Sequence, residues 1–542
     1  MPRSIFRKLL SFRRKKKRPF SKGVSTDRAA KLSRDLESNL EMIRDALGKS
    51  MDVVIRELVM CRTRVALIYI DGIVDRTALR ENVIRALMVD THTVDPLPGP
   101  GSSLVASVKE KVLSACGVQE SREFNTLLDG LLGANIIVLF DGEETGLALK
   151  LPGFETRAIA EPHTESVVRG PREGFVESLY TNISMLRRKI KSPDLRLEQV
   201  QVGKVTKTVV CVAYIKGIVN PKIVDEVKKR LVRIDIDGVL ESGYIEQFIE
   251  DAPFSIFPTV GNTEKPDKLA AQLLEGRVAI FTDGTPFVLT VPYLFMESIQ
   301  ASEDYYSRYL SGSLFRMLRL LALIFTTQLP ALYVAVSAFN PEALPTPLLL
   351  TMASAKEGVP LPALGEVLVL GAIFEVLREA GVRLPRPVGQ AVSIVGALVV
   401  GEAAVAAGMV GAPAVIVGAL TAISSFVVPS QSDAQLFLRL FFTLLAGFAG
   451  FFGLFMGFIL VLTHLASLRS FGVPYLSPAA PLSTGDLKDT FIRAPWWTMV
   501  RRPRVIGWKN PRRAGAVSPP GTPGDEEKEL AHRYDEEGGG SA

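Results

Sequence analysis

The sequence predicts an α/β tandem repeat, two related α/β units, followed by a polytopic α-helical membrane domain. Three observations carry that expectation. A phrase occurs twice, as YIDGIV from Tyr69 to Val74 and as YIKGIV from Tyr214 to Val219. A strand closing on an Asp-Gly turn also recurs, at Asp141 and Asp283. From Leu314 to Leu468 the text then changes to long apolar runs with scattered glycine and proline.

The first copy of the repeat contains RVALIYIDGIVD (Arg64 to Asp75), an apolar, β-branched run ending at a turn glycine, and the helical pattern DRTALRENVIRALM follows. In the second, TVVCVAYIKGIVN leads into NPKIVDEVKKRLVRI. Asn220 is a natural N-cap there and Pro221 suits the first helical position, with Asp75 the corresponding cap in copy one. Both LLDGLLGANIIVLFDGEETGLALKL and LAAQLLEGRVAIFTDGTPFVLTV read as helix, short loop, strand, Asp-Gly turn and strand, a hairpin signature. Tyr69 and Tyr214 are 145 residues apart, and Asp141 and Asp283 are 142 apart. Two landmarks in one order at nearly one spacing argue for duplication. Asp71 in copy one is Lys216 in copy two, so chemistry does not hold that position. Gly72 and Gly217 are kept, and are read as structural turns that need a positive φ. A strand-to-helix glycine can also turn backbone N–H groups toward an anion. No GxGxxG or GxxxxGK[ST] accompanies either, so no nucleotide site is expected.

The membrane half follows from composition. The 542 residues exceed one ordinary domain. Apolar residues make up 47% and the mean hydropathy is +0.24, high for a soluble protein. A span needs about 20 mostly apolar residues. Leu320 to Phe339 meets this, with Arg316 and Arg319 expected as cytoplasmic anchors at its start. Leu361 to Leu377 is apolar but carries Glu366 and Glu375, and Val388 to Met409 carries Glu402 in its middle. Ala412 to Val428 follows a short link around Pro413. The last run, Leu436 to Leu468, is too long for one upright span, and Gly447, Gly450, Gly453 and Gly457 permit a bend. Pro330, Pro413 and Pro429 are candidate helix kinks. The small-residue pairs Ala397/Gly401, Ala404/Gly408 and Gly453/Gly457 suit close helix packing, or the wall of a pore. A carboxylate inside such a run costs several kcal/mol unless paired or hydrated. Glu402, Glu366 and Glu375 are therefore candidate pore or buried polar residues. Glu366 and Glu375 have a second reading, as acids near helix ends within reach of headgroups.

The charges constrain orientation. The net charge is +6, and Arg13 to Arg18 form a block of six basic residues. No apolar signal-peptide core follows it, so the amino terminus is expected in the cytosol. In a chain with a membrane region, anionic lipid is a simpler partner for that block than nucleic acid; a solvated tail is the plainer alternative. The basic residues Arg378, Arg383 and Arg386, and the segment from Lys488 to Arg513, also favour the cytosol. Five full spans would put that last segment outside. Either one segment is re-entrant or the long last run is a hairpin, and the sequence leaves both open. Cys61, Cys116 and Cys211 are scattered, as are His92, His163, His464 and His532, so neither a disulfide frame nor a metal site is expected. No catalytic or cofactor-binding residue is assigned.

The expected layout is a basic, partly disordered segment 1–50, a first α/β unit 51–160 and a linker 161–195. A second α/β unit 196–300, a membrane domain 301–470 of about four to six helical segments, a basic cytosolic segment 471–513 and a disordered acidic tail 514–542 complete it.

The stretch RGPREGFVESLYTNISMLRRKIKSPDL (Arg169 to Leu195) resembles the A-subunit family of bacterial spore germinant receptors, the GerA family. FPTVGNTEKPD, SEDYYSRYL, LREAGVRLPRPVGQAVSIVGALVVGEAAV, SSFVVPS and FGVPYLSPAAPL extend the resemblance from Val53 to about Arg513. It implies a protein of the endospore inner membrane that works with B and C subunits. It further implies a homo-oligomer forming a nutrient-gated ion channel, with nutrient sensed mainly by the B subunit and no catalytic residues. A close paralogue group associated with the dipicolinate-release channel shares the architecture and is the alternative. A secondary transporter would carry its repeats within the membrane half, whereas the repeat here lies in the soluble half. An enzyme would show a convergent cluster of reactive groups, and none is visible.

Overall fold

The computed structural model describes residues 31–60, 63–85, 87, 88, 108, 117–153, 161, 162, 165, 167–383, 401–483, 485–507 and 510–515. The basic block, Cys61, Cys116, His92, His163, His532, Arg386, Ala397, most of Val388 to Met409 and the acidic tail lie outside these residues. The chain divides into two compact units. One is built on residues up to 151; the other takes 43–54, 70–76 and everything from 152.

The first sheet is made from β1 (Val53–Met60), β2 (Thr63–Ile70), β3 (Gly117–Ser121), β4 (Asn135–Phe140) and β5 (Gly146–Lys150), in the order β1-β2-β4-β5-β3. Helix α1 (Leu36–Leu47) precedes it and α2 (Phe124–Leu132) joins β3 to β4. The second sheet is made from β6 (Leu195–Val202), β7 (Thr208–Ile215), β8 (Gly261–Thr263), β9 (Val278–Thr282) and β10 (Val288–Val291), in the order β6-β7-β9-β10-β8. Its helices are α3 (Leu179–Lys189), α4 (Pro221–Val232), α5 (Ser242–Ile249) and α6 (Pro266–Glu275). The strand order is the same in both sheets.

Local hydrogen bonds agree at matching places. Asp71 N donates to Asp52 O at 2.7 Å, and Lys216 N donates to Asp194 O at 2.9 Å. Gly72 and Gly217, one residue later, have φ of +86° and +85°. The Asp-Gly turns carry a second duty. Asp141 Oδ1 accepts from Leu36 N at 3.3 Å, and Asp283 Oδ1 accepts from Leu179 N at 3.1 Å. Each turn carboxylate thus satisfies an orphan N–H at a helix start. Asn39 clasps the backbone of Ser33 through both ends of its amide, as Asn182 clasps Val176.

Helix α3 falls in the stretch expected as a linker, 161–195. Leu179, Ile183 and Leu186 are buried with Leu197, Ala213 and Phe281 in one core cluster, so this stretch is part of the second unit. Helix α1 likewise occupies the end of the segment expected as basic and partly disordered. In β7, Val210 and Val212 face one cluster while Cys211, Ala213 and Ile215 face the other. A strand covered on both faces reads as an unbroken apolar run, which is how TVVCVAYI is written. The Asn220 side chain accepts from Lys222 N at 3.1 Å with Pro221 in the first turn of α4, as the capping pattern predicts.

The helical bundle contains α7 (Tyr309–Ala338), α8 (Thr346–Lys356), α9 (Ala363–Arg383), α10 (Ala412–Ser425) and α11 (Ser432–Ser467). By length and composition, Tyr309–Ala338 and Pro429–Ser467 could each cross a membrane. The 14 residues of α10 rise only about 21 Å, short of a hydrocarbon core of about 30 Å. Pro330 lies inside α7, which continues through it. Pro413 and Pro429, expected as kinks, instead stand in the first turns of α10 and of a 3-10 turn at Pro429–Gln431. A first-turn N–H has no intrahelical partner, so proline costs nothing there.

Helix α11 is not one rod. Gly450 has φ +57° and ψ −136°, and the chain reverses at it. A Cβ added at Gly457 would lie 3.0 Å from the Phe442 ring and 2.8 Å from Leu445, and one at Gly453 would strike the Leu445 carbonyl. A straight helix of 36 residues would separate its ends by about 54 Å. Here Gln431 Nε2, just before α11, sits 3.5 Å from Tyr475 Oη, just after it. The arms 432–449 and 451–467 are therefore antiparallel, and the tip packs on Phe339 at the end of α7. Of the two arrangements open in the sequence, the long last run adopts the hairpin.

Beyond α11 the chain returns to the second sheet. Ser470 Oγ donates to Thr259 O at 2.6 Å and accepts from Tyr293 N at 2.9 Å. Phe471, Val473 and Ile506 join the cluster that contains Val212 and Ile280.

Candidate functional site

Polar groups of the bundle gather in three places. At its foot, where α7 meets the second α/β unit, Arg316 is fully buried. Its Nε donates to Asp304 Oδ2 at 3.3 Å and its Nη1 to Asp489 Oδ1 at 3.0 Å. Arg319 Nη1 donates to the same Asp304 carboxylate at 2.8 and 2.9 Å. Tyr305 Oη donates to Asp489 Oδ2 at 2.9 Å, and burial followed by the Asp489 charge pushes its phenol well above the usual tyrosine range. Arg316 and Arg319 are thus not headgroup anchors. They clamp the helix to the short turn Glu303–Tyr306 and to the C-terminal segment. Their partner Asp489 is distant in sequence, which is why a basic pair before an apolar run is misread as a lipid anchor.

Toward the middle, Glu375 of α9 pairs with Arg439 of α11, and with Arg378 at 2.6 Å. This acid is neutralised by two guanidinium groups. Near the far end, Glu366 is buried and its Oε2 accepts from Tyr333 Oη at 3.1 Å. Its Oε1 has no hydrogen-bond partner among the described residues. Lys356 Nζ lies 5.1 Å from the Tyr333 ring centroid, so a cation, an aromatic face and an acid are stacked there.

The structure does not bring the three candidate acids into one cluster: Glu366 and Glu375 make separate contacts on α9. Glu402 is exposed. It lies about 6 Å along the axis from the end of its helix at residue 406. Gly453 and Gly457 sit between the arms of the hairpin, in a packing role. Sequence reasoning missed Asp304, Asp489, Tyr333 and Arg439. Of these only Arg439, a cation within an apolar run, carried a local signal. Among the described residues no three His, Cys, Asp or Glu side chains converge to hold a metal.

Two five-stranded α/β sheets and an apolar helical bundle, two of whose helices are long and apolar enough to cross a membrane, define the class of the described chain. The family described as "Bacillus/Clostridium GerA spore germination protein" matches residues 41–505. The chain belongs to this family, the A-subunit family of spore germinant receptors. It is 45% identical to spore germination protein KA of Bacillus subtilis over 494 residues, covering 90% of each chain. It is 43% identical to the Bacillus subtilis membrane protein YfkQ, covering 92% of this chain and 96% of that one. A crystal structure of the N-terminal domain of the A subunit of the Bacillus megaterium spore germinant receptor GerK3 is 39% identical, with a TM-score of 0.40 over 49% of this chain and 98% of that one.

Proposed function

We propose that this protein is the A subunit of a nutrient germinant receptor, oligomerising in the spore inner membrane as an ion channel that starts germination. The observation that carries the reading is the family match, which runs from α1 through both sheets and the bundle into the C-terminal segment. In this reading the bundle crosses the bilayer, and both α/β units and the C-terminal segment face the cytosol. The hairpin supports that topology, because its two arms begin and end beside the second α/β unit, at Ser298 and Thr259. The two α/β units are copies of one ancestral unit, beginning at α1 and α3, which the shared strand order and matched hydrogen bonds support. B and C subunits are the partners, and nutrient is sensed mainly by B.

The test is reconstitution of the full chain with its B and C partners in lipid, reading oligomer mass and nutrient-triggered cation flux. Glu402 is the candidate acid on the conducting path, since an exposed carboxylate in each subunit of a ring favours cations. Glu402→Gln is expected to lower cation flux or selectivity with assembly intact. A monomer without flux overturns the channel reading. Normal flux in the variant removes Glu402 from the path.

A further inference from the structure

We propose that Phe254, Trp496 and Trp497 form an aromatic girdle by which the second α/β unit and the C-terminal segment rest on the headgroup–acyl boundary of the bilayer. The inference rests on the membrane reading above and adds a surface of the soluble part to it.

Phe254 is 102% exposed, in a loop that has no need of an apolar side chain in water. The next residue fixes its place: Ser255 Oγ lies 3.0 Å from His464 Nε2, in the last turn of α11. The arm that ends there exposes Phe452, Phe455, Phe458 and Leu460 along its length. Phe254 therefore stands at the foot of an apolar belt.

The tryptophans occupy the matching place at α7. Trp497 packs edge-on against Tyr309, the first residue of α7, with centroids 6.3 Å apart, and Trp496 lies 5.8 Å from Tyr305. Both remain partly exposed, at 40% and 46%. From Tyr309 upward, Leu310, Leu314, Leu318 and Leu321 present one exposed apolar helix face. The start of α7 is tied to Ile299 and Asp304 and the chain just beyond α11 to Thr259, all beside the second α/β unit, so the two aromatic patches share one end of the bundle. Amphipathic rings at the ends of spans are the residues that favour this boundary.

The charge around them fits lipid better than a protein face. Arg501, Arg504 and Arg512 are exposed in the segment that follows the tryptophans, and Arg308 is exposed beside Tyr309. Arg493 is buried and Arg513 pairs with Glu275, so the exposed four are the groups available to headgroups. Basic residues beside interfacial aromatics attract anionic headgroups. The surface is fitted to a bilayer containing anionic lipid.

The experiment uses the full chain with Cys61 and Cys116 replaced by serine; Cys211 is buried and escapes labelling. Phe254→Cys, Trp497→Cys, Phe455→Cys and Val205→Cys are each labelled with an environment-sensitive fluorophore in phosphatidylcholine–phosphatidylglycerol nanodiscs. Nitroxide lipids labelled near the headgroup or near the chain end then serve as quenchers. Labels at 254 and 497 are expected to lose fluorescence to the headgroup-proximal nitroxide, at a shallow depth of about 5–10 Å. The label at 455 is expected to respond to the deep nitroxide, and that at 205 only to aqueous iodide. If 455 is quenched by lipid while 254 and 497 respond to iodide alone, the girdle is overturned and the membrane reading stands. If 455 escapes lipid quenching, the membrane reading itself falls. If 254 and 497 are shielded from lipid and iodide alike, a second copy of the chain covers them and the lipid proposal is overturned. Phe254 makes no packing contact that its replacement would break, so the result at 254 stands even if Trp497→Cys folds poorly.

Discussion

Gly457 packs against the ring of Phe442, although it lies 15 positions further along one apolar run. The contact turns one long hydrophobic run into two arms that return the chain to its starting level. The C-terminal segment can therefore complete both the core of the second sheet and the ion cluster at Arg316.

Spin labels at the exposed positions Leu440 and Leu460 test the reversal directly. A continuous helix would hold them about 30 Å apart or more. Paired arms at an interaxial distance of about 8–10 Å should bring the labels to within about 20 Å. A pulsed dipolar distance near the longer value would mean that α11 is straight.

Asp304→Asn should be strongly destabilising. The change leaves the buried Arg316 and the neighbouring Arg319 facing a neutral amide, and breaking a buried pair costs about 3–5 kcal/mol. Asp489→Asn should cost less, because the Asp489 side chain is 26% exposed and water can compensate. Thermal unfolding of the two variants side by side checks the order, and equal midpoints would remove Asp304 as the centre of the clamp.

Stability should fall as pH rises toward neutrality through Glu246 of α5. Burial, then the charges of Glu250, Glu241 and Asp433, push its carboxyl up from 4.5 to about 7. A folded state that holds this proton more tightly than the unfolded chain is favoured below 4.5, and that advantage is lost as pH rises through about 7. Glu246→Gln cannot ionise. Variant and parent should differ least at pH 4, and the variant should gain relative to the parent up to pH 8. A pH-independent difference would show that Glu246 keeps an ordinary pKa.

The two turn glycines should differ in tolerance. Gly217→Ala meets no atom within 4 Å and carries only the left-handed backbone cost, about 1–2 kcal/mol. Gly72→Ala adds a Cβ only 3.0 Å from Ser184 Cβ, so its loss should be larger. Denaturation midpoints of the two variants check this, and a greater loss at Gly217 would contradict the described geometry.

Much of the fold was legible in the sequence because its signals are local. Asp-Gly between two apolar runs specifies a hairpin wherever it occurs, and Asn220-Pro221 caps a helix from within its own first turn. A third matching pair of positions is less conspicuous: Leu36 and Asn39 recur as Leu179 and Asn182, 143 residues later, within charged text that resembles a linker. The apolar runs likewise announced helices suited to a membrane.

What the tertiary structure decided is which permitted option is taken. Four glycines in the last run could each bend it, and the reversal falls at Gly450, where Phe339 receives the tip and Phe442 and Leu445 meet the small faces of Gly453 and Gly457. Arg316 and Arg319 read locally as lipid anchors, yet Asp304 and Asp489 draw them inward. Turns and caps depend on a few adjacent residues, so local text determines them. Burying a charge or reversing a helix depends on partners far along the chain, and only the assembled fold brings those partners together.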